Sequence, residues 1–127
     1  MAGGDGAAVG GLNTAEVYDP VAGVFTPVGN LATGRVGHSA TLLPNGTVLI
    51  AGGEDQAHES AGSNFLGYVA FASAEVFDPA TASFSPVSDM NEGRSWHTAT
   101  LLHDGTVLLA GGIGNDTALA TAEVYRP

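Results

Sequence analysis

Short apolar runs alternate along this chain with turns that are rich in glycine, proline and asparagine. The runs are enriched in Val, Leu, Phe and Tyr, which favour pleated, half-buried strands. None of them shows the three-to-four-residue spacing of an amphipathic helix. The pattern therefore predicts β-strands throughout.

Three of these apolar segments return in the same order. AEVYDP at 15–20 returns as AEVFDP at 74–79 and as AEVYRP at 122–127. HSATLL at 38–43 returns at 97–102 as HTATLL, and GTVLIAGG at 46–53 returns at 105–112 as GTVLLAGG. A fixed order at near-regular spacing is the signature of a repeat architecture.

Each repeat is predicted to contain four strands, called A to D. A is HSATLL or HTATLL, B is the run that ends in Gly-Gly, and C is the AEV segment, whose proline cannot extend a ladder. D is predicted at 24–27 and 83–87. Asn45-Gly46 and Asp104-Gly105 are expected to form two-residue turns with positive φ, so that A and B pair as a hairpin. The Gly pairs mark a place where the backbone passes close to another group.

This order of motifs resembles that of bacterial kelch-like β-propellers and of the central domain of galactose oxidase. Arg35, His38, Gly52-Gly53, and Glu75, Phe77, Asp78 and Phe84 carry the resemblance in one repeat. It implies an all-β fold, a kelch-type β-propeller fragment of about two and a half four-stranded antiparallel blades. Phe25 and Phe84 stand where the family has a tryptophan, and Arg126 replaces the aspartate of the other repeats.

The strand order divides the chain into three parts. Residues 1–37 are expected to form a partial blade of strands C and D. Residues 38–96 form a full blade with a long B–C loop, and residues 97–127 a partial blade of strands A to C. Closed propellers have roughly four to eight blades. We therefore expect this sequence to be a piece of a longer propeller, packed against further blades in cis or self-associated.

Charge and composition narrow the classes of partner. Thirteen acidic residues oppose three arginines, and the net charge is −10. Such a surface repels nucleic acid and anionic membrane faces. No cysteine is present, which excludes disulfides and thiolate metal sites. No apolar run has the length of a membrane span. These features leave the compartment open, and the resemblance implies a secreted or extracytoplasmic protein.

Arg35 and Arg94 recur just before strand A, on the rim that the B–C and D–A loops share. Two interpretations of these arginines stay open. In the first, they stabilise each repeat by pairing with backbone carbonyls or with carboxylates of the neighbouring blade. In the second, they form a ring of guanidinium groups that binds an acidic ligand. His38 and His97 also recur, and a structural hydrogen bond is favoured over metal ligation.

The long loop at 54–73 and Trp96 are the irregular features of this rim. The loop carries Glu54, Asp55, His58 and Glu59, and then an apolar run at 65–71 that contains Tyr68. That run is expected to lengthen strand C or to cover the adjacent blade, and the alternative is an exposed aromatic contact patch. Trp96 has Gly37 at its equivalent position, which makes it a candidate for ligand stacking. We assign no metal and no cofactor.

The leading hypothesis is a non-catalytic module that binds a protein or a carbohydrate on this rim, through Arg35, Arg94, Trp96, His58 and Tyr68. No catalytic constellation such as GxSxG is present. One alternative is that the chain is part of a galactose oxidase-like copper oxidase whose active-site residues lie outside this chain. The family's copper radical site uses a cysteine cross-linked to tyrosine, which this sequence lacks. Another alternative is a structural or extracellular surface protein.

Overall fold

The computed structural model describes residues 1–6, 10–58 and 65–127, without the side chains of 56–58, 65 and 66. Within these residues the chain forms thirteen β-strands and no helix. The strands are β1 Glu16–Asp19, β2 Val24–Pro27, β3 Ser39–Leu42, β4 Val48–Ala51, β5 Glu54–His58, β6 Phe65–Ala70, β7 Ala74–Asp78, β8 Ser83–Val87, β9 Thr98–Leu101, β10 Val107–Ala110, β11 Ile113–Gly114, β12 Thr117–Ala118 and β13 Ala122–Tyr125. In the described ranges, no helix has the length and hydrophobicity to cross a membrane.

The central sheet has four strands in the order β3-β4-β7-β8. All neighbours are antiparallel, as in an up-and-down meander. The β5–β6 hairpin is inserted between β4 and β7 and forms a sheet of its own. Strands A to D of the middle repeat therefore form one sheet, and the inserted segment stands apart from it.

Two smaller sheets flank the central one. β1 pairs with β2, and an isolated bridge joins Ala2 to Ala15 at the start of β1. On the other side, β10 pairs with both β9 and β13. The registers repeat between sheets, because Ala51 pairs with Ala74 and Ala110 pairs with Ala122. The Ala2–Ala15 bridge is the equivalent contact at the β1–β2 sheet.

The turns between strands A and B differ from the prediction in one respect. The amide of Gly46 donates to the carbonyl of Leu43 at 3.0 Å, and that of Leu43 donates to the carbonyl of Thr47 at 2.8 Å. Gly46 has a φ of 87°, whereas Asn45 is not in the positive region. The connection is therefore a three-residue loop in which the glycine alone is left-handed, and not a two-residue turn. Asn45 instead accepts the amide of Thr47 through Oδ1 at 3.0 Å.

The hydrophobic core lies between the central sheet and the β9–β10–β13 sheet. Its buried members are Leu43, Leu49, Ala51, Ala74, Val107 and Leu109. Alternate residues of β4 face this core, as the two-residue period of a strand requires. The intervening residues, Val48 and Ile50, face the β1–β2 sheet.

Candidate functional site

The residues singled out in the sequence cluster on one edge of the three sheets, here called the rim. The rim contains the segments that lead into β3 and β9 and the connections between strands B and C. Those connections include the isolated Asp5–Gly11 bridge, the β5–β6 hairpin and the β11–β12 hairpin. Backbone bridges from Val36 to Glu54 and from Ser95 to Ile113 connect the segments before strand A to the connections between strands B and C.

Arg35 is buried beneath the rim, with 1% of its surface exposed. Its Nη1 donates to the carbonyls of Gly52 at 2.6 Å and Ser73 at 3.0 Å. Its Nη2 donates to Oγ of Ser73 at 3.1 Å and to Oε2 of Glu75 at 3.2 Å. The guanidinium therefore joins the end of β4 to the start of β7.

Arg94 repeats this arrangement in the third sheet and is fully buried. Its Nη1 donates to the carbonyls of Gly111 at 2.6 Å and Thr121 at 3.1 Å. Its Nη2 donates to Oγ1 of Thr121 and to Oε2 of Glu123, both at 3.2 Å. Two blades of one chain thus build the same four-bond cluster independently.

These clusters support the structural interpretation of the two arginines. Neither guanidinium is exposed at the rim, and each is already paired with a carboxylate, so an acidic ligand would have to displace Glu75 or Glu123. The carboxylate partner lies on strand C of the sheet whose strand A follows the arginine, Glu75 on β7 for Arg35 and Glu123 on β13 for Arg94. Burial lowers the pKa of Arg35 from its ordinary value, and the charge of Glu75 opposes that shift.

The paired glutamates also hold the segments that precede strand A. Oε1 of Glu75 accepts the amide of Ala32 at 2.9 Å. Oε1 of Glu123 accepts the amide of Asn91 at 2.6 Å and its Nδ2 at 2.8 Å. Burial alone would raise the pKa of Glu123, but the hydrogen bonds from Asn91, Arg94 and Glu92 outweigh it and lower the pKa. Each Arg–Glu pair therefore fixes the geometry of the rim above it.

His97 makes the structural contact that the sequence favoured. Its Nε2 lies 2.8 Å from Oγ of Ser39 on the adjacent blade. Burial, followed by the charge of Arg94, lowers the pKa of His97 to about 4. Burial and the nearby Arg35 also lower the pKa of His38. Within the described ranges, no three His, Cys, Asp or Glu side chains are grouped as a metal site.

The Gly pairs after strand B pass close to the backbone of the next blade, as predicted. The amide of Gly53 donates to the carbonyl of Arg94 at 2.9 Å. A Cβ atom at Gly52 would lie 2.3 Å from that same oxygen, which is too close for any side chain. Glycine is therefore required here, and the contact sets the spacing of adjacent blades at the rim.

Trp96 is an exposed aromatic residue of this rim, with 62% of its surface accessible. Its ring lies against Gly37, because a Cβ atom at Gly37 would be 2.7 Å from Cε2 of the indole. Its amide donates to the carbonyl of Gly37 at 2.7 Å. Trp96 has a φ of 55°, a conformation that glycine adopts easily and tryptophan does not.

Glu54 holds the indole in place, a role that the sequence did not reveal. Its Oε1 accepts the indole Nε1 of Trp96 at 2.9 Å, and its Oε2 accepts the hydroxyl of Ser95 at 2.6 Å. Glu54 is buried, with 8% of its surface exposed. Both carboxylate oxygens are therefore engaged, and one edge of the indole is fixed while much of the ring stays open to solvent.

The loop at 54–73 forms the β5–β6 hairpin, which the sequence interpreted as a loop. Tyr68 lies on β6 and is 41% exposed. Asp55 accepts the amide of Gly11 at 3.0 Å, and Asn115 accepts the amide of Ala70 at 3.1 Å, so the hairpin contacts the connections on both sides. His58 lies on β5, but its side chain is outside the described part of the chain, as is Glu59.

The comparisons with known proteins identify the fold. No protein-family model matches the chain, and no curated protein matches it. Among solved structures it is similar to a fungal alcohol oxidase of the AA5 family in complex with copper, with a TM-score of 0.67 and 24% sequence identity. The match covers 89% of this chain and 24% of the oxidase, so the chain spans about a quarter of that protein's length. Together with the antiparallel sheets described above, this similarity confirms the predicted fold class, an all-β propeller fragment.

Proposed function

We propose that this chain is a non-catalytic, kelch-type binding module that takes a neutral carbohydrate on its rim, with Trp96 as the main contact. The observation that carries the proposal is the exposed indole of Trp96, which Glu54 fixes by a 2.9 Å hydrogen bond. A rigid aromatic ring offers a large contact area at low entropic cost. The flat C–H face of a sugar ring is complementary to such a surface.

The backbone of Trp96 supports a functional role. A non-glycine residue in the left-handed region costs of order 1 kcal/mol and persists where the surroundings over-determine it. The equivalent residue in the adjacent blade is Gly37, with a φ of 64°, which carries no such cost. A tryptophan at this position therefore costs stability, and presentation of the indole at the rim explains why it is there.

Charge disfavours an acidic ligand. The net charge of −10 repels acidic molecules. The guanidinium groups of Arg35 and Arg94 are buried and paired with glutamates. Tyr68, exposed on the β5–β6 hairpin, is proposed as a secondary contact.

The size of the exposed Trp96 contact favours a sugar over a protein as the ligand. Stable protein interfaces bury about 800 Å² on each partner, around a cluster of anchoring residues. Trp96 is the only tryptophan of the chain, and its neighbours Glu54 and Ser95 are buried. A single fixed ring of this kind matches one or two sugar units.

Calorimetric titration with a panel of neutral oligosaccharides tests the proposal. The Trp96→Ala substitution should weaken binding about tenfold, which corresponds to the ~1.4 kcal/mol expected of one lost aromatic contact. Phe25→Ala is the matched control, because Phe25 is 53% exposed on β2, outside the rim. Equal losses in the two variants, or no saccharide binding by the unmodified chain, would exclude this function.

The similarity to the copper-bound alcohol oxidase motivates a second candidate, part of an oxidase whose catalytic residues lie outside this chain. Among the described residues no group of side chains suits a metal ion, so we assign no copper ligand here. Release of hydrogen peroxide from a primary alcohol by a longer protein that contains this chain, in the presence of Cu(II), would favour this candidate. Its absence from a protein that binds saccharides would favour the binding module.

A third candidate, a structural or extracellular surface role, predicts adhesion without binding of small ligands. A deletion within the β5–β6 hairpin tests this candidate, provided that the residues that support the rim are kept. Glu54 holds Trp96, and Ser73 binds Arg35. Removal of residues 56–67 should therefore abolish adhesion in this case, and leave saccharide binding by Trp96 in the leading case.

A further inference from the structure

The small β11–β12 hairpin contacts the segment that carries Trp96. The amide of Ser95 donates to the carbonyl of Ile113 at 2.9 Å, and the amide of Ile113 donates to the carbonyl of Ser95 at 2.8 Å. Trp96 is the residue that follows Ser95. The position of β11 is therefore coupled directly to the backbone that presents the indole.

The turn of the same hairpin contacts β6, which carries Tyr68. Oδ1 of Asn115 accepts the amide of Ala70 at 3.1 Å. A Cβ atom at Gly67 would lie 3.0 Å from Oδ2 of Asp116, so this carboxylate is close to the backbone of β6. Gly67 precedes Tyr68 along the strand, and Ala70 follows it. The turn therefore contacts β6 on both sides of Tyr68.

The backbone of this turn indicates that its two side chains have a role. Asn115 and Asp116 have φ values of 41° and 70°, as a two-residue hairpin turn with positive φ at both positions requires. Glycine fits either position without strain. Glycine would nevertheless lose the side-chain oxygen that reaches β6. The contacts with β6 therefore explain why side chains are present at a strained turn.

A second link of the same kind joins β5 to the connection on its other side. Oδ1 of Asp55 accepts the amide of Gly11 at 3.0 Å, and a Cβ atom at Gly10 would lie 3.3 Å from that oxygen. In both links, an Asp or Asn oxygen of one B–C connection reaches a glycine-containing backbone of the connection before it. The β5–β6 hairpin is therefore held from both of its neighbours.

The two aromatic residues lie close enough for one ligand to reach both. The amide of Arg94 donates to the carbonyl of Phe71 at 3.2 Å. Tyr68 lies three residues before Phe71, and Trp96 lies two residues after Arg94. Even with fully extended chain, the Cα atoms of Tyr68 and Trp96 are at most about 25 Å apart. An extended oligosaccharide can span such a distance along the rim.

We propose that the Asn115-Asp116 turn fixes Tyr68 relative to Trp96, and that the ligand is a neutral oligosaccharide long enough to contact both rings. This inference rests on the proposed function and adds to it the length of the ligand and the residues that determine it. Asn115 and Asp116 act as positioning residues, through β6 and without touching the sugar. A second aromatic contact adds affinity when its ring is held in place before the ligand binds.

The test compares disaccharides with hexasaccharides of the cello, xylo and malto series, by titration of tryptophan fluorescence. The unmodified chain should bind one hexasaccharide about fivefold more tightly than its disaccharide, as one further aromatic contact allows. Asn115→Gly removes the acceptor oxygen without backbone strain, and it should abolish this gain while the disaccharide affinity is unchanged. Asn115→Asp keeps an acceptor oxygen and should restore the gain. Asn45→Gly, the same change in an exposed turn at the opposite edge, should have no effect.

A double substitution separates positioning from direct contact. Tyr68→Ala should abolish the same gain, and Asn115→Gly should add no further loss to it, because both changes act through one ring. Losses that add up would mean that Asn115 contacts the sugar itself, and they would overturn the proposal.

Amide hydrogen exchange shows whether Asn115→Gly acts on β6 alone. Exchange at the amide of Ala70 should become faster, while the amides of β4 and β7 should keep their protection. Unchanged exchange at Ala70 would overturn the proposal. Binding that depends on Trp96 but ignores ligand length would overturn this inference and leave the proposed function intact, whereas the absence of any saccharide binding would remove both.

Discussion

Nη2 of Arg35 lies 3.2 Å from Oε2 of Glu75, and both side chains are buried. The pair Arg94–Glu123 has the same separation in the next blade. In each case the glutamate comes from the AEV segment, and the arginine comes from the connection that leads into strand A. The pair therefore links the two sequence motifs that recur most clearly, and it holds the rim on which Trp96 is displayed.

Loss of the Glu75 charge should destabilise the chain strongly. Glu75→Gln leaves a buried guanidinium without its counter-charge, and we expect a cost of about 3 kcal/mol in the free energy of unfolding, measured by urea denaturation. Glu16→Gln is the matched control, because Glu16 occupies the same motif position and is exposed. It should change stability by less than about 0.5 kcal/mol. Equal effects would mean that the Arg35–Glu75 pair does not stabilise the blade.

Gly37 should not tolerate a side chain, because Trp96 occupies the space. Gly37→Ala places a Cβ atom 2.7 Å from the indole and also strains a φ of 64°. Gly23→Ala separates these two effects, since Gly23 has a φ of 71° and open space around it. Strain alone costs about 1–2 kcal/mol, so Gly37→Ala should cost more than Gly23→Ala. Tryptophan emission should shift in the first variant only. Equal costs and unchanged emission would contradict the described contact.

Stability should fall as the pH decreases from 6.5, because His97 is neutral in the folded chain. Its pKa of about 4 lies below the ordinary 6.5, so the unfolded chain binds a proton first. His38 acts in the same direction. His97→Gln should flatten the fall in the urea midpoint between pH 6.5 and 5, and His103→Gln, in the exposed turn after β9, is the control substitution. Parallel pH curves for His97→Gln and the unmodified chain would show that His97 does not contribute.

The core between the central and third sheets should dominate the packing energy. Leu49→Ala removes a side chain that is 1% exposed, and we expect a loss of about 2–5 kcal/mol. Leu42→Ala, one strand away, truncates a leucine that is 64% exposed, and it should cost less than about 1 kcal/mol. Thermal unfolding of the two variants gives the comparison. A similar loss at both positions would mean that Leu42 is packed against another group in solution.

The fold could be predicted from the sequence because the repeat supplies its own internal comparison. Strands A to D and their antiparallel order follow from the recurring segments, and the Gly pairs indicate a close backbone approach. The A–B turns were assigned too few residues, since an Asn-Gly pair fits both a two-residue turn and a three-residue loop with one left-handed glycine.

The candidate site was less accessible to prediction. A recurring arginine is compatible with burial or with ligand binding, and only the positions of Glu75 and Glu123 distinguish the two. Glu54 follows a Gly pair, as Asp5 does, and nothing in the sequence shows that it reaches Trp96 on the next blade. The β5–β6 hairpin was missed because its pairing runs between segments that lack a recognisable turn motif.

Fluorescence titration of the single tryptophan tests the central claim most directly, because every change in emission reports on Trp96. Neutral oligosaccharides should shift and saturate the emission of the unmodified chain. Glu54→Gln, which weakens the bond that fixes the indole, should raise the dissociation constant several-fold while saturation is retained. An emission spectrum that no saccharide changes, or an affinity that Glu54→Gln leaves unaltered, would contradict the account of Trp96 as a ligand contact held by Glu54.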